Sequence, residues 1–167
     1  TRLTIMNNLF DINGKVVVMT GGSGVLGSAI MRHLASQGAK VVILARNEAK
    51  GTALAEEIRG EGGDAMFLAT DVMDIRQLEA NREAILARYG RVDALLNAAG
   101  GNRPGATIPP SSTFFDLDPQ AFADVMNLNL IGTVLPTQVF LKPMVAQGAG
   151  TIVNFSSMSA FRPLTRV

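Results

Sequence analysis

The sequence predicts an α/β fold in which helices cover both faces of a parallel sheet. Apolar runs of strand length alternate along the chain with segments of helical spacing. These runs are continuous, which is typical of strands buried on both faces. Hydrophobic residues make up 47% of the 167 residues and charged residues only 17%, which suits such a sheet. Because crossovers between parallel strands are right-handed, we expect a doubly wound, three-layer α/β/α sheet in a single domain, residues 1–167.

The elements follow from the spacing of apolar residues and from turn-forming residues. Strands are predicted over residues 15–20, 40–45, 65–69, 92–96 and 151–155. Helices are predicted over residues 48–59 and 75–89, and another follows the first strand and is closed by Gly38. The last strand is an apolar run that should be buried on both faces and paired along both edges, but we expect no further strand or helices in this sequence to cover it, which leaves an open edge.

A long helix is predicted from Asp118 and Pro119 to about Val145. Asp118 suits the N-cap because its side chain accepts from first-turn N–H groups. Pro119 suits the first helical position because it has no N–H to leave unpaired. Pro136 and Pro143 are expected to kink this helix or to break its last turns.

The composition excludes several classes of function. Fifteen Lys and Arg balance 14 Asp and Glu to give a net charge of +1, so we expect no nucleic-acid partner. The absence of Cys and the single His argue against disulfides and a metal site. A chain without Cys also fits a cytoplasmic location. No apolar run is long enough to span a bilayer, so we expect no membrane partner.

A glycine-rich segment directly follows the first strand: Gly22-Ser23-Gly24-Val25-Leu26-Gly27. It fits the pattern G-x-G-x-x-G at the start of a predicted helix. Glycines let the backbone turn sharply and approach a pyrophosphate, which rests on the N–H groups of the helix N-terminus. The segment therefore predicts dinucleotide binding, and a tight turn without a ligand is the alternative.

The residues that end the second strand discriminate between the two nicotinamide dinucleotides. An acidic residue there accepts from the ribose 2′-hydroxyl of NAD, whereas an Arg accommodates the 2′-phosphate of NADP. The chain has Ala45-Arg46-Asn47 at this position, without a carboxylate. This favours NADP(H), with NAD as the alternative cofactor and a solvated surface charge as the alternative role of Arg46.

Five motifs occur in order along the chain: Thr20-Gly21-Gly22-Ser23-Gly24-Val25-Leu26-Gly27, Asp71-Val72, Asn97-Ala98-Ala99-Gly100, Asn129 and Ser157. Together they resemble the classical short-chain dehydrogenases/reductases, a family with a Rossmann-type fold. The chain departs from the family pattern at Val25, where the middle glycine is usual, and at Ala98, where a second Asn is usual.

The resemblance implies a cofactor site and two catalytic residues. The residues of the glycine loop, the pair Asp71-Val72 and the segment 97–100 would bind the dinucleotide, with the pair holding the adenine. Hydride would pass between the nicotinamide and a substrate carbonyl carbon. The Ser157 hydroxyl would polarise the carbonyl oxygen, and Asn129 would order a water that relays the proton.

Finer similarity points to the subgroup of D-mannonate oxidoreductases, which interconvert D-mannonate and D-fructuronate. Residues 99–107, 114–118, 128–140 and 156–165 carry this similarity. It implies a hydroxy or keto sugar acid as substrate and a homo-oligomer, a tetramer or dimer. Arg103 and Arg162, in loops beside the expected cleft, are candidates to bind a substrate carboxylate, with ordinary solvated arginines as the alternative.

The family's proton donor belongs to a Tyr-x-x-x-Lys motif, which this sequence lacks. Its one tyrosine, Tyr89, has Asp93 four positions later, so we expect no catalytic role for it. The family places the motif shortly after the catalytic serine, just past Val167. We therefore expect the chain to stop before this motif and before the last strands and helices of the fold. A non-catalytic dinucleotide-binding fragment or module is the alternative to an enzyme.

Overall fold

The structure is a computed structural model, and it describes residues 10–162. The strands are β1 (Val16–Thr20), β2 (Lys40–Ala45), β3 (Asp64–Ala69), β4 (Ala94–Asn97) and β5 (Thr151–Asn154). The α-helices are α1 (Val25–Ser36), α2 (Glu48–Gly60), α3 (Ile75–Tyr89), α4 (Pro119–Met126) and α5 (Gly132–Gln147). Strands and helices alternate along the chain up to β4, as the sequence predicts.

All the strand pairs are parallel, and the order across the sheet is β3-β2-β1-β4-β5. The order reverses direction between β1 and β4, which are neighbours in the sheet although far apart in sequence. In this pairing Thr20 lies beside Asn97, so the loops that follow the two strands start side by side. A doubly wound sheet binds ligands at such a switch point.

Each face of the sheet packs against its own layer of helices. Val17 and Met19 of β1 belong to the apolar layer under α1 and α2. Val16 and Val18 belong to the layer that contains α3 and α5, where Phe140 is fully buried. Every residue of β1 is therefore buried, which explains why this strand is a continuous apolar run in the sequence. The three-layer α/β/α prediction is confirmed.

Side-chain caps fix where three of the helices begin. The side chains of Asn47, Asp74 and Asp118 accept from first-turn N–H groups of α2, α3 and α4. Asp118 Oδ1 accepts from Gln120 N at 2.9 Å, which confirms the predicted N-cap. Gly38, with φ of +84°, follows the end of α1, where the sequence predicts it.

The long helix predicted from Pro119 is present, but Pro136 and Pro143 do not break its last turns. It runs as α4, a π-helical turn at Asn127–Ile131, and α5, with helical backbone at both junctions. The π-helical turn coincides with a bond of Asn129, whose side-chain Nδ2 donates to Val125 O at 2.9 Å. A regular helix would pair that carbonyl with the Asn129 backbone N–H, so the side chain displaces the backbone donor.

The next two strands, β4 and β5, also need comment. β4 begins at Ala94, two residues later than predicted, because the backbone of Val92 pairs with the side chain of Gln147. Gln147 Oε1 accepts from Val92 N at 3.0 Å, and Gln147 Nε2 donates to Val92 O at 2.8 Å. Within the described residues β5 pairs with β4 alone, and Thr151 and Val153 are exposed. The expectation that β5 is buried on both faces and paired along both edges supposes a further strand and covering helices, and residues 10–162 contain no such elements after β5.

Among residues 10–162, no helix combines the length and apolar character needed to cross a bilayer. The same residues contain no cluster of three or more His, Cys, Asp or Glu side chains placed to hold a metal ion.

Replacing Phe140 by Ala tests the packing of the sheet against α3 and α5. Phe140 is 0% exposed, so truncation leaves a cavity, and we expect the free energy of unfolding to fall by about 3–5 kcal/mol. Urea denaturation measures this loss. Phe161→Ala is the matched control, because that ring is 92% exposed. Similar losses for both variants would contradict the described core.

Candidate functional site

A cleft opens at the carboxyl edge of the sheet, where β1 and β4 meet. It encloses about 320 Å³ and is formed by the loops after β1, β2, β3 and β4, together with the π-helical turn. Its lining contains ten of the predicted cofactor residues: Gly21, Ser23, Gly24, Arg46, Asn47, Asp71, Val72, Ala98, Ala99 and Gly100. Leu44, Ala45, Thr70 and Leu128 complete the wall. The structure thus gathers residues from four separate motifs into one cavity.

The glycine loop is shaped by contacts that exclude side chains. Gly21 has φ of +69°, and a Cβ on it would lie 2.8 Å from Ala98 O. A Cβ on Gly27 would lie 2.5 Å from Gly21 O. Gly24 is the N-cap of α1 and supplies no side-chain cap, so no capping side chain covers the first-turn N–H groups. This end of α1 can accept an anion such as a pyrophosphate.

The other residues of the glycine motif do not line the cleft. Gly22 is buried behind it, where a Cβ would lie 3.2 Å from Ile43 Cγ2. Val25 and Leu26, in the first turn of α1, are 95% and 61% exposed and are absent from the cleft lining. The glycines of the motif thus shape the loop, and these two side chains do not form its wall.

Thr20 joins the loop after β1 to the loop after β4. Its Oγ1 accepts from Ala98 N and from Ala99 N, each at 3.1 Å. Thr20 is 0% exposed, and these bonds satisfy two half-buried backbone donors at once. The wall that Ala98 and Ala99 form is therefore fixed to β1.

The residues after β2 give the cleft its positive charge. Arg46 is exposed at the cleft wall, and among residues 10–162 its side chain has no hydrogen-bond or ion-pair partner. Asn47 is engaged in structure instead, since its Oδ1 accepts from Lys50 N at 2.9 Å and caps α2. A guanidinium without a partner can bind an anionic group on a ligand.

Asp71 and Val72 form the wall that follows β3. Asp71 Oδ1 accepts from Met73 N at 2.9 Å, and Asp71 N donates to Gln77 Oε1. These bonds fix the carboxylate in a tight turn before α3, while Val72 is 6% exposed. A carboxylate and an apolar side chain in this arrangement fit an aromatic base with an amino group.

A second cavity of about 400 Å³ adjoins the first along Ala98, Ala99 and Gly100, which line both. Asn129 and Ser157, the two predicted catalytic residues, both line this second cavity. We call it the reactive cavity. Sequence patterns did not single out Thr133 and Phe155, which also line it, because tertiary contacts place them there.

Every hydrogen-bonding group of the Asn129 side chain is engaged with the backbone. Nδ2 donates to Gly101 O at 2.8 Å and to Val125 O at 2.9 Å, and Oδ1 accepts from Gly101 N at 3.1 Å. The contact is close, because a Cβ on Gly100 would lie 2.5 Å from Asn129 Oδ1. The Asn129 amide therefore holds the loop after β4 against the helical segment.

Ser157, in the segment after β5, contributes to the wall of the reactive cavity. Its Oγ accepts from Ser159 N at 3.2 Å and lies 3.1 Å from Ser159 Oγ, in the cap of a short 3-10 helix. Ser157 is exposed. Its hydroxyl hydrogen can therefore reach a ligand in the cavity by rotation about the Cβ–Oγ bond.

Asn97, a predicted cofactor residue, lines neither cavity. It is 3% exposed, and its Nδ2 donates to Thr137 Oγ1 and to Asn154 Oδ1, each at 2.9 Å. The side chain therefore ties β4 to α5 and β5, beneath the two cavities. This placement agrees with a role in fixing the sheet.

Tyr89, Arg103 and Arg162 do not line the reactive cavity. The Tyr89 hydroxyl donates to Asp64 Oδ1 at 2.9 Å, and Asp64 is the first residue of β3, at the amino edge of the sheet. Burial, followed by the bond to Asp64, raises the pKa of Tyr89. Arg103 is paired with Asp124, with 2.7 Å between Nη1 and Oδ2, and Arg162 is exposed.

Two adjoining cavities on a doubly wound sheet, one lined by a glycine loop, define a nucleotide-binding α/β protein. The family model described as short chain dehydrogenase matches residues 15–167, and the chain belongs to this family.

Individual relatives agree with this assignment. The chain is 44% identical over 165 residues to an uncharacterized oxidoreductase, UxuB, from Bacillus subtilis, covering 94% of this chain and 59% of that protein. It superposes with a TM-score of 0.87 on a provisionally assigned D-mannonate oxidoreductase from Haemophilus influenzae with bound NAD, at 39% identity, covering 94% of this chain and 60% of that one.

A metagenomic short-chain oxidoreductase in complex with NADP matches with a TM-score of 0.80 and 33% identity, covering 92% of this chain and 67% of that one. Solved relatives of this chain thus contain either dinucleotide. The chain spans about three fifths of the length of the Bacillus protein and of the Haemophilus structure.

A pair of glycine variants tests the contact at the centre of the cleft. Gly14 and Gly21 have nearly the same φ, +71° and +69°, but a Cβ on Gly14 would meet nothing within 4 Å. Gly14→Ala should therefore cost only the strain of that backbone region, about 1–2 kcal/mol. Gly21→Ala should cost about 1–3 kcal/mol more, because its Cβ would overlap Ala98 O.

Urea denaturation measures the two losses, and fluorescence titration with NADPH measures binding. We expect weaker NADPH binding for Gly21→Ala and unchanged binding for Gly14→Ala. Equal stability and equal binding in the two variants would show that the contact does not shape the cleft.

Proposed function

We propose that this chain provides the cofactor site and part of the catalytic site of an NAD(P)-dependent oxidoreductase. The reaction is hydride transfer between nicotinamide and a carbonyl or secondary alcohol. The observation that carries the proposal is the shared wall, Ala98–Gly100, between the glycine-lined cleft and the reactive cavity that holds Asn129 and Ser157. A ligand that extends from one cavity into the other can bring its nicotinamide end beside Ser157.

The residues of the first cavity fit a dinucleotide. The positions at Gly21 and Gly27 exclude a Cβ, so the backbone can approach a pyrophosphate closely. The free N-terminus of α1 suits its negative charge, and Asp71 and Val72 suit the adenine. When bound, the cofactor supplies or accepts the hydride. The chain contributes binding, orientation and electrostatics.

Within the reactive cavity, we assign different roles to the two predicted catalytic residues. Ser157 donates its hydroxyl hydrogen to the substrate oxygen and so stabilises the negative charge that develops there. Asn129 acts through the loop it holds, since its amide bonds to both the N–H and the carbonyl of Gly101. A pure binding module has no use for a hydroxyl at this position, which favours the enzyme.

We propose NADP(H) as the preferred cofactor. The support is the guanidinium of Arg46 at the cleft wall, which has no partner within residues 10–162, and the absence of a carboxylate at the end of β2. An Arg without a partner can bind a 2′-phosphate, whereas the ribose of NAD offers it no charge to neutralise.

We propose a hydroxy or keto sugar acid as the substrate, with D-mannonate and D-fructuronate as the first pair to test. The support is the similarity to the provisionally assigned D-mannonate oxidoreductase. NADPH consumption with D-fructuronate, followed by absorbance in the full-length protein, tests this directly. Cofactor binding without turnover of any sugar acid would favour a binding module. A dimer or tetramer stays a prediction from the family resemblance, and a cytoplasmic location stays a prediction from the absence of Cys.

Replacing Arg46 by Asp tests the cofactor preference. The wild type should bind NADPH more tightly than NADH, and the variant should reverse the order, with a change of about 1–3 kcal/mol. Calorimetric titration of both cofactors measures this. Arg76→Asp is the control for net charge, since Arg76 is exposed on α3. Wild-type binding of NADH as tight as that of NADPH would refute the assignment.

Replacing Ser157 by Ala tests the proposed donor to the substrate oxygen. Loss of one donor to a developing oxyanion should lower kcat by about 10²–10³-fold, with little change in NADPH affinity. Steady-state kinetics of the full-length protein provide the measurement, with Ser36→Ala, at the exposed end of α1, as the control. Near-normal turnover in Ser157→Ala would remove this residue from the mechanism.

A further inference from the structure

A chain of hydrogen bonds runs beneath the reactive cavity between its two predicted catalytic residues. Thr133 and Thr137 are one helical turn apart on α5, and each hydroxyl donates to the carbonyl four residues earlier. Thr133 Oγ1 lies 3.0 Å from Asn129 O, and Thr137 Oγ1 lies 2.8 Å from Thr133 O. The two side chains therefore follow the helix from Asn129 down toward the sheet.

The lower end of this chain reaches two strands. Asn97 Nδ2 of β4 donates to Thr137 Oγ1 and to Asn154 Oδ1 of β5, each at 2.9 Å. Asn154 ends β5, and Ser157 follows it after two residues. We call the set Thr133, Thr137, Asn97 and Asn154 the threonine bridge.

The Thr137 hydroxyl fixes the direction of every bond around it. A hydroxyl donates one hydrogen, and that hydrogen goes to Thr133 O, so toward Asn97 the oxygen can only accept. Asn97 must therefore present Nδ2, and Asn154 must present its oxygen. Asn97 Oδ1 is buried without a partner among residues 10–162, so the bonds through Nδ2 alone hold this side chain.

We propose that Thr137 is a positioning residue that, through the threonine bridge, sets the distance between Asn129 and Ser157. The inference deepens the proposed function and rests on it for its catalytic consequence. The cofactor wall does not depend on the bridge, because Thr20 Oγ1 holds Ala98 N and Ala99 N independently. Loss of the Thr137 hydroxyl should therefore affect turnover far more than cofactor binding.

Thr137→Val tests the inference, because valine keeps the shape and removes the hydroxyl. In the full-length protein with NADPH and D-fructuronate, we expect kcat to fall by about 10-fold or more, with NADPH affinity unchanged. Thr137→Ser restores the hydroxyl and should recover kcat. Thr52→Val is the matched control, since Thr52 is half-buried on α2 and its hydroxyl has no partner among the described residues.

Amide hydrogen exchange provides a readout that does not require turnover. Thr137→Val should speed exchange at residues 129–132 and also at residues 154–157, and Thr137→Ser should restore both. Unchanged exchange in the second segment would overturn the bridge. Normal kcat in Thr137→Val, with an active wild type, would overturn its catalytic role. A wild type that consumes no NADPH with any sugar acid would refute the proposed function, while the exchange data would still decide the bridge.

Discussion

The site depends on the contact between the two loops that leave β1 and β4 side by side. Thr20 Oγ1 accepts two N–H groups from the loop after β4, and Gly21 lies against the carbonyl of Ala98. Position 20 needs a hydroxyl to accept these two bonds, and position 21 has no room for a side chain. The segment Ala98–Gly100 lines both the dinucleotide cleft and the reactive cavity. The contact that fixes this segment therefore determines the shape of both cavities.

Much of the fold could be predicted because its determinants are local. Parallel strands buried on both faces are continuous apolar runs, and β1, β2 and β3 lie within a residue of their predicted bounds. The π-helical turn between α4 and α5 could not be predicted, because the Asn129 side chain that bonds to Val125 O is also held by Gly101, which is distant in sequence. Pro136 and Pro143 predicted a kink or a break, but the helix continues through both.

The candidate site shows the same division between local and tertiary causes. The glycine motif located the cleft, since a backbone requirement leaves a trace in the sequence. The sequence contains no such signal for Thr133 and Thr137. A threonine in a helix has the same sequence neighbours whether its hydroxyl faces solvent or a catalytic cavity. The sequence predicted Asn97 as a site residue, and its side chain bonds to α5 and β5 beneath the cavities. Sequence motifs thus predicted where the site lies, and the structure shows which partner each side chain contacts.

The most direct test of the account is amide hydrogen exchange measured with and without saturating NADPH. The account predicts slower exchange in the four segments that converge on the cleft, residues 20–28, 45–48, 70–73 and 97–101. Exchange at the amino edge of the sheet, around Tyr89 and Asp64, should not change. Absence of protection in those four segments, or protection confined to the amino edge, would contradict the assignment of this cleft as the dinucleotide site.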